Sequence, residues 1–258
     1  MKTTSAAATH TGKVRRDNQD AWVIREAEAL FAVADGMGGH RGGEVASTIA
    51  VDALAEFFGA TSSDEDLTWR FRDLGRGDLH ASRLLSAIDL GHQRIQATAL
   101  AHPALAGMGT TVVAAHLAGG RLYLAHVGDS RGYLLRNGRL RLLTSDHSLA
   151  NQVAADPRFD GVARERVRVL RHVLVRALGI AIYTPADIDL SRRTLHTGDV
   201  LLLCSDGVTT ELTSYDLGDL LREHDDPADA CRAIVDAALA AGGRDNITAL
   251  VLRVDSLA

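Results

Sequence analysis

The sequence is poor in cysteine, proline, lysine and aromatic residues. Its 258 residues include two cysteines, Cys204 and Cys231, four prolines and 4% aromatic residues, and its only lysines are Lys2 and Lys13. Two cysteines without a CxxC spacing exclude a disulfide scaffold and favour a reducing, cytoplasmic compartment. The 46% hydrophobic content and the formal net charge of −5 exclude disorder and collagen, and they are typical of a soluble globular protein.

Long hydrophobic runs are also absent. No segment approaches the roughly 18 apolar residues of a membrane-spanning helix, and residues 1–12 hold no apolar block of signal-peptide length. We therefore expect neither membrane insertion nor secretion. Mild acidity argues against a nucleic-acid partner, which favours a basic face. Because no linker or repeat divides the chain, one domain over residues 1–258 is predicted, and we expect a monomer.

Apolar runs of strand length recur along the chain. They are rich in Val, Leu, Ile and Ala, and they cover residues 21–24, 30–34, 110–117, 121–127, 132–136, 200–204 and 247–254. Asn137-Gly138 predicts a β-hairpin after the fifth run. Three longer segments, over about 45–58, 84–95 and 230–239, have apolar residues at helical spacing, and the third ends at Gly242-Gly243. Since the strands come in consecutive groups, the pattern favours an α+β layered domain over a doubly wound parallel sheet.

Aspartate is the abundant ionisable residue that needs an explanation, because it outnumbers glutamate by 25 to 8. Five aspartates stand at the ends of predicted strands. Asp35, Asp129 and Asp206 follow apolar runs, whereas Asp20 and Asp245 precede them, and each has a Gly, Ser or Asn within two residues. Such neighbours permit tight backbone turns.

Carboxylates gathered at one end of a sheet repel each other and lose hydration, so they need a compensating cation. A set of ligands that consists only of oxygen atoms selects Mg²⁺ or Mn²⁺, whereas zinc prefers Cys and His. The eleven histidines include no HExxH spacing, which argues against a zinc site. The alternative is that these Asp-Gly and Asp-Ser pairs are ordinary turns with solvated side chains. Strand patterns alone do not show which of the five carboxylates converge.

Seven short motifs occur in order over nearly the whole chain. They are Gly12-Lys13-Val14-Arg15 with Asn18-Gln19-Asp20; Asp35-Gly36-Met37-Gly38-Gly39; Gly107-Met108-Gly109-Thr110-Thr111; Gly128-Asp129-Ser130-Arg131; Leu143-Thr144 with Asp146-His147-Ser148; Cys204-Ser205-Asp206-Gly207; and Asp245-Asn246. In this order and spacing the chain resembles the metal-dependent (PPM, or type 2C) protein serine/threonine phosphatases in their compact bacterial form.

The resemblance implies two antiparallel β-sheets packed as a central sandwich flanked by α-helices, with a two-metal centre at one end. By motif, Asp35 would bridge both ions, the Gly36 carbonyl would bind one ion, and Asp206 and Asp245 would hold the other. The ions would be Mn²⁺ or Mg²⁺. Two such ions lower the pKa of a shared water and offset charge on the phosphoryl oxygens during in-line attack, without a phosphoenzyme.

Three further residues gain roles from the same resemblance. Asp20 would lie near the ions and act through water, and Asp129 would contribute to a third, weaker metal site. Arg15 would bind the substrate phosphate, for which its planar, permanently charged guanidinium suits better than lysine.

Two positions depart from the family pattern. Many relatives have Glu where this chain has Gln19, and a neutral amide is a poorer metal ligand. In eukaryotic relatives a histidine directly after the Asp-Gly pair is a proposed general acid, whereas Met37 stands there in this chain. His40 lies nearby and is the candidate catalytic proton donor, the alternative being an ordinary surface histidine flanked by glycine.

The region of about 148–172 corresponds to a mobile flap in the family. Six arginines against Asp160 and Glu165 give residues 158–176 a local charge of +4, which would attract acidic phosphorylated segments unless it is only a solvated helix face. The predicted function is hydrolysis of phosphoserine and phosphothreonine in proteins, opposing a serine/threonine kinase. Two alternatives stay open: a non-catalytic regulator that binds phosphoproteins, and a phosphatase of a phosphorylated anti-sigma-factor antagonist.

Overall fold

The computed structural model describes residues 1–38, 41–61, 77–156, 169–180 and 183–257. The described strands, in chain order, are β1 (Lys2–His10), β2 (Asp20–Arg25), β3 (Leu30–Met37), β4 (Gly109–Thr110), β5 (Val112–Ala118), β6 (Arg121–Val127), β7 (Arg131–Arg136), β8 (Arg139–Leu142), β9 (Asp189–Thr194), β10 (Val200–Cys204) and β11 (Ile247–Ser256). One sheet has the order β1-β11-β10-β7-β8 and the other β2-β3-β5-β6-β9, with β4 paired to β3. The paired strands in both sheets are antiparallel.

Helices cover the outer faces of the two sheets. The described helices are α1 (Gly42–Ala60), α2 (Leu79–Ala101), α3 (Leu149–Ala155), α4 (Asp206–Glu211), α5 (Ser214–Glu223) and α6 (Pro227–Ala241). Side chains of α1 and α2 share one buried cluster with the second sheet, and α5 and α6 share another with the first sheet. No helix in the described ranges is both long and apolar enough to cross a membrane.

A third buried cluster lies between the sheets. Phe31 and Leu124 of the second sheet pack there with Leu203 and Leu252 of the first. In the central strands, alternating side chains therefore face the opposite sheet or the flanking helices, as expected for a strand buried on both faces. The predicted α+β sandwich of two antiparallel sheets is confirmed.

The predicted strands, hairpin and helices are confirmed, with one refinement. Asn137 and Gly138 have φ angles of 50° and 72° and connect β7 to β8 as a tight hairpin. Helix α6 ends at the predicted glycines, where Gly243 has a φ of 61°. The run at 110–117 is divided between β4 and β5, because the backbone N–H of Thr111 donates to the carbonyl of Asp35 instead of continuing the ladder.

Two strands, β1 and β9, are not indicated by their own sequences. β1 contains one Lys, three Thr, one Ser, three Ala and one His, and therefore shows no large apolar residue at strand spacing. It pairs with β11 along its whole length, so the partner strand determines its conformation.

Candidate metal centre

Four of the five predicted aspartates line one cleft. The cleft has a volume of ≈ 850 Å³ and lies where strand ends of both sheets meet. Its aspartates from the predicted set are Asp35, Asp129, Asp206 and Asp245. The fifth, Asp20, is the direct cross-strand partner of Asp35 on β2. The structure thus brings together side chains whose convergence the strand patterns alone did not show.

Asp20 and Asp35 are placed by the β2–β3 pair and by helix α1. The backbone N–H of Gly36 donates to the Gln19 carbonyl at 3.0 Å, and the Ser47 hydroxyl donates to the same carbonyl at 2.6 Å. A Cβ at Gly36 would lie 2.0 Å from the backbone oxygen of Gly43 in α1. Only glycine therefore allows the helix to begin this close to the end of β3.

Asp206 and Asp245 come from the other sheet. Asp206 begins α4 directly after β10, and Asp245 lies in the turn that precedes β11. A Cβ at Gly207 would lie 1.9 Å from the Asn246 carbonyl oxygen, so a glycine after Asp206 lets the two turns touch. The carboxyl groups of Asp35 and Asp206 lie close enough to interact directly.

Asp129 lies in the turn between β6 and β7. Gly128, the residue before Asp129, makes two hydrogen bonds with His147. The His147 backbone N–H donates to the Gly128 carbonyl at 2.9 Å, and His147 Nδ1 accepts from the Gly128 N–H at 3.1 Å. The hydroxyl groups of Thr111 and Ser130 lie 2.7 Å apart and tie the same turn to β5. The motifs around residues 108–111, 128–131 and 146–148 are therefore parts of one support for this aspartate.

The cleft is electrostatically strained by its own carboxylates. Burial raises the pKa of Asp35 well above its ordinary value, and the charges of Asp20, Asp206, Asp129 and Asp245 raise it further. Burial also raises the pKa of Asp20 to about 7 and that of Asp129 to about 7. The pKa of Asp206 rises for the same reason, with Asp245 as the next cause. Such a set is stabilised by cations or by protons.

The donor chemistry fits hard divalent cations. The predicted ligands in the cleft are carboxylates, which suit Mg²⁺ or Mn²⁺ better than zinc. One oxygen of Asp20, Oδ1, is buried and has no hydrogen-bond partner among the residues that the structure describes. An orphaned buried carboxylate oxygen is costly, and a nearby cation with its water would satisfy it.

Arg15 lies at the mouth of the cleft, where its guanidinium donates to Asp245 Oδ2 at 2.8 Å. This hydrogen bond raises the pKa of Arg15, and the side chain is 56% exposed. Asn246 fixes the loop that carries it: the amide donates to the carbonyls of Thr11 and Asp17, and its oxygen accepts from the Gln19 N–H, all at 2.8–2.9 Å. The sequence motif includes Asn246 but does not indicate that this residue fixes the loop of Arg15.

The two departures from the family pattern have definite places in the structure. The Gln19 amide oxygen lies against the start of α1, since a Cβ at Gly43 would be 2.5 Å from it. Met37 lines the cleft and packs against Gly109. His40 lies outside the described residues, and so do 157–168 with four of the six flap arginines. Their predicted roles stay predictions.

A histidine cluster adjoins the cleft and was not predicted as a site. His126, His147 and Asp189 have potential ligand atoms within 4.8 Å of one another, and the two imidazole rings stack with centroids 4.6 Å apart. The guanidinium of Arg176 lies 3.2 Å from Asp189 Oδ1 and 3.4 Å from His147 Nε2. Because this guanidinium already supplies a cation to the cluster, a metal ion is not needed there.

Comparison with known proteins decides the family. A family model described as protein phosphatase 2C matches residues 5–241. The chain belongs to the protein phosphatase 2C family. The resemblance inferred from the seven motifs is thereby confirmed.

The names of similar proteins indicate the class of reaction that the phosphatase catalyses. Serine/threonine phosphatase stp of Listeria welshimeri is 34% identical over 253 residues, which cover 95% of this chain and 93% of the relative. Serine/threonine protein phosphatase PstP of Mycobacterium tuberculosis is 36% identical over 249 residues, or 96% of this chain and 44% of that longer protein. The chain is a protein serine/threonine phosphatase, and phosphoproteins are its substrates.

An experimental structure supports the same fold and cofactor class. The catalytic domain of serine/threonine protein phosphatase PstP, solved in complex with two manganese ions, superimposes with a TM-score of 0.80 at 35% identity and covers 98% of this chain and 99% of that chain. The phosphatases of this family use Mn²⁺ or Mg²⁺.

Proposed function

We propose that this phosphatase hydrolyses phosphoserine and phosphothreonine in proteins at a two-metal centre in the cleft, and that it opposes a serine/threonine kinase. The observation that carries the proposal is the convergence of five aspartates from both sheets around one cleft. Four of them raise the pKa of the fifth, Asp35. Without cations, the repulsion among these buried carboxylates destabilises the folded protein. Such a cluster is therefore expected at a site that binds cations.

The proposed ligands follow the motifs and the geometry together. Asp35 lies in contact with Asp206 and next to Asp20, which fits a residue that bridges two ions. The Gly36 carbonyl would bind one ion together with Asp35, and Asp206 with Asp245 would bind the other. Asp20, the cross-strand partner of Asp35, would act through water on these ions.

Arg15 would bind the phosphate of the substrate. Its side chain is exposed at the cleft mouth, already directed towards the carboxylates, and held by a loop that Asn246 clamps. The guanidinium can donate two parallel hydrogen bonds to phosphoryl oxygens and so orient the phosphorus towards the cleft floor. The two divalent ions, when bound, lower the pKa of water and offset charge on the phosphoryl oxygens.

The outer features are assigned more peripheral roles. Asp129 would contribute to a third, weaker ion, because it lines the cleft with the other aspartates. His40 would protonate the leaving alcohol, and the basic flap would attract acidic segments around the phosphorylated residue. Residues 1–258 would act as one catalytic domain and as a monomer.

The experiment is hydrolysis of a phosphothreonine peptide with Mn²⁺, with Mg²⁺ and with EDTA. We expect turnover only with metal, and a loss of at least a hundredfold in kcat for Asp206→Asn, since one ion loses a ligand. A matched control is Asp52→Asn, an exposed aspartate on α1, which should keep wild-type turnover. Phosphopeptide binding without metal-dependent hydrolysis would instead support the non-catalytic regulator.

A further inference from the structure

Two hydroxyl groups hold the carboxylate of Asp20 in one orientation. The Thr248 hydroxyl donates to Asp20 Oδ2 at 2.6 Å, and the Ser205 hydroxyl donates to the same oxygen at 2.7 Å. Both hydroxyl-bearing residues are completely buried. No partner of the other oxygen, Oδ1, occurs among the described residues, although that atom is buried as well.

The directions of these hydrogen bonds are fixed by the surrounding network. The backbone N–H of Thr248 donates to the Ser205 hydroxyl oxygen at 3.0 Å, so the Ser205 hydroxyl proton is available for Asp20. The backbone N–H of Ser205 donates in return to the Thr248 carbonyl at 3.1 Å. Ser205 and Thr248 thus lock the end of β10 to the start of β11 and present two O–H donors on one side.

A second layer supports Thr248. The hydroxyl oxygens of Thr9 and Thr248 lie 2.8 Å apart, and the amide of Asn18 donates to Thr9 at 2.8 Å. Because the Thr248 proton points to Asp20, the Thr9 hydroxyl must donate to Thr248. The chain of donors therefore runs in one direction, from Asn18 through Thr9 and Thr248 to Asp20.

We propose that Ser205 and Thr248 are positioning residues, which hold one oxygen of Asp20 so that the other is presented to the metal centre. The inference rests on the proposed two-metal function and extends it to residues that do not line the cleft. Free rotation of the carboxylate would let either oxygen turn towards the hydroxyls. With two donors on Oδ2, the carboxylate is preorganised before cations or water arrive, and preorganised ligands bind more tightly.

The test compares Thr248→Val with Thr248→Ser by isothermal titration calorimetry of Mn²⁺ into the metal-free protein. Valine keeps the shape of threonine but lacks the donor, whereas serine keeps the donor. We expect Thr248→Val to weaken Mn²⁺ binding about tenfold, as is typical when a carboxylate of a metal site loses a hydrogen-bond donor, and Thr248→Ser to bind within about twofold of the wild type. Ser205→Ala should resemble Thr248→Val.

Thr61→Val is the matched control, because Thr61 is also buried with a hydrogen-bonded hydroxyl but lies at the far end of α1. Circular dichroism verifies that each variant is folded, and if Thr248→Val is not, Ser205→Ala decides the comparison. Equal Mn²⁺ affinity in the wild type, the folded donor-free variant and Thr61→Val would overturn the inference and leave the two-metal proposal standing. Absence of Mn²⁺ binding by the wild type would overturn the proposed function itself.

Discussion

Replacing Asp35 by asparagine should stabilise the metal-free phosphatase while it abolishes turnover. Asp35 is surrounded by four other carboxylates, and burial together with their charges raises its pKa well above the ordinary value. Asparagine has the same shape and is neutral at every pH, so it imitates the protonated aspartate and relieves the repulsion without uptake of a proton.

The magnitude follows from Coulomb repulsion and from the size of the chain. Two like charges about 8 Å apart repel by about 2 kcal/mol at an effective dielectric constant of about 20. At about 2.1 cal/mol/K per residue, unfolding of this chain has an entropy of roughly 0.5 kcal/mol/K. Metal-free Asp35→Asn should therefore melt about 4 °C above the metal-free wild type.

Metal should reverse this order. An ion present at a hundredfold excess over its Kd stabilises the folded state by about 2.7 kcal/mol, or roughly 5 °C for each ion. The wild type should gain about 10 °C from two ions. The variant lacks the proposed bridging ligand, so its gain should be less than half of that, and its turnover should fall by orders of magnitude.

Thermal unfolding followed by circular dichroism, in EDTA and in Mn²⁺, measures both effects. Asp52→Asn is the control for removal of a distant, exposed charge and should follow the wild type in both conditions. The reasoning would be refuted by an Asp35→Asn protein that melts below the wild type in EDTA and still gains the full shift from Mn²⁺.

Four other substitutions test separate parts of the structure. Arg15→Lys loses the two-bond contact to phosphate, so kcat/KM for a phosphopeptide should fall about tenfold or more with metal affinity unchanged; unchanged kinetics would remove its role. Asn246→Ala removes three hydrogen bonds of the loop clamp and should lower the free energy of unfolding by about 2–4 kcal/mol, measured in urea; a loss below ~0.5 kcal/mol would contradict the clamp. Asp129→Ala should fold normally but need a higher Mn²⁺ concentration for half-maximal activity, and an unchanged metal dependence would argue against a third ion. Burial lowers the pKa of His116 from 6.5 to about 4, so the stability that the neutral ring contributes above pH 6.5 should be lost as the pH falls towards 4, by about 3 kcal/mol; His116→Phe should lack this component in urea titrations between pH 4 and 7.5, and parallel pH profiles would refute it.

The sequence predicts the fold well wherever apolar spacing is regular. The strands of the central sandwich are buried on both faces and therefore read as continuous apolar runs. The sequence does not predict β1, because its small and polar residues acquire strand conformation only by pairing with β11. The hairpin at Asn137-Gly138 is local and needs no tertiary information.

Prediction of the site has a different limit. Strand ends indicate which aspartates could be functional, but their convergence depends on how two sheets pack, which periodicity does not encode. The family motifs supply that information for Asp35 and Asp206. The supporting hydroxyls of Ser205 and Thr248 have no distinctive local pattern, since their role arises from contacts between residues 185 and 228 positions away from Asp20.

The most direct test of the two-metal proposal is a crystal structure of the protein in Mn²⁺, with the ions located by anomalous scattering. We expect two strong peaks in the cleft, both in contact with Asp35, one of them in contact with Asp206 and Asp245. Ions bound only at the cluster of His126, His147 and Asp189, or a cleft without ions at a saturating Mn²⁺ concentration, would contradict it.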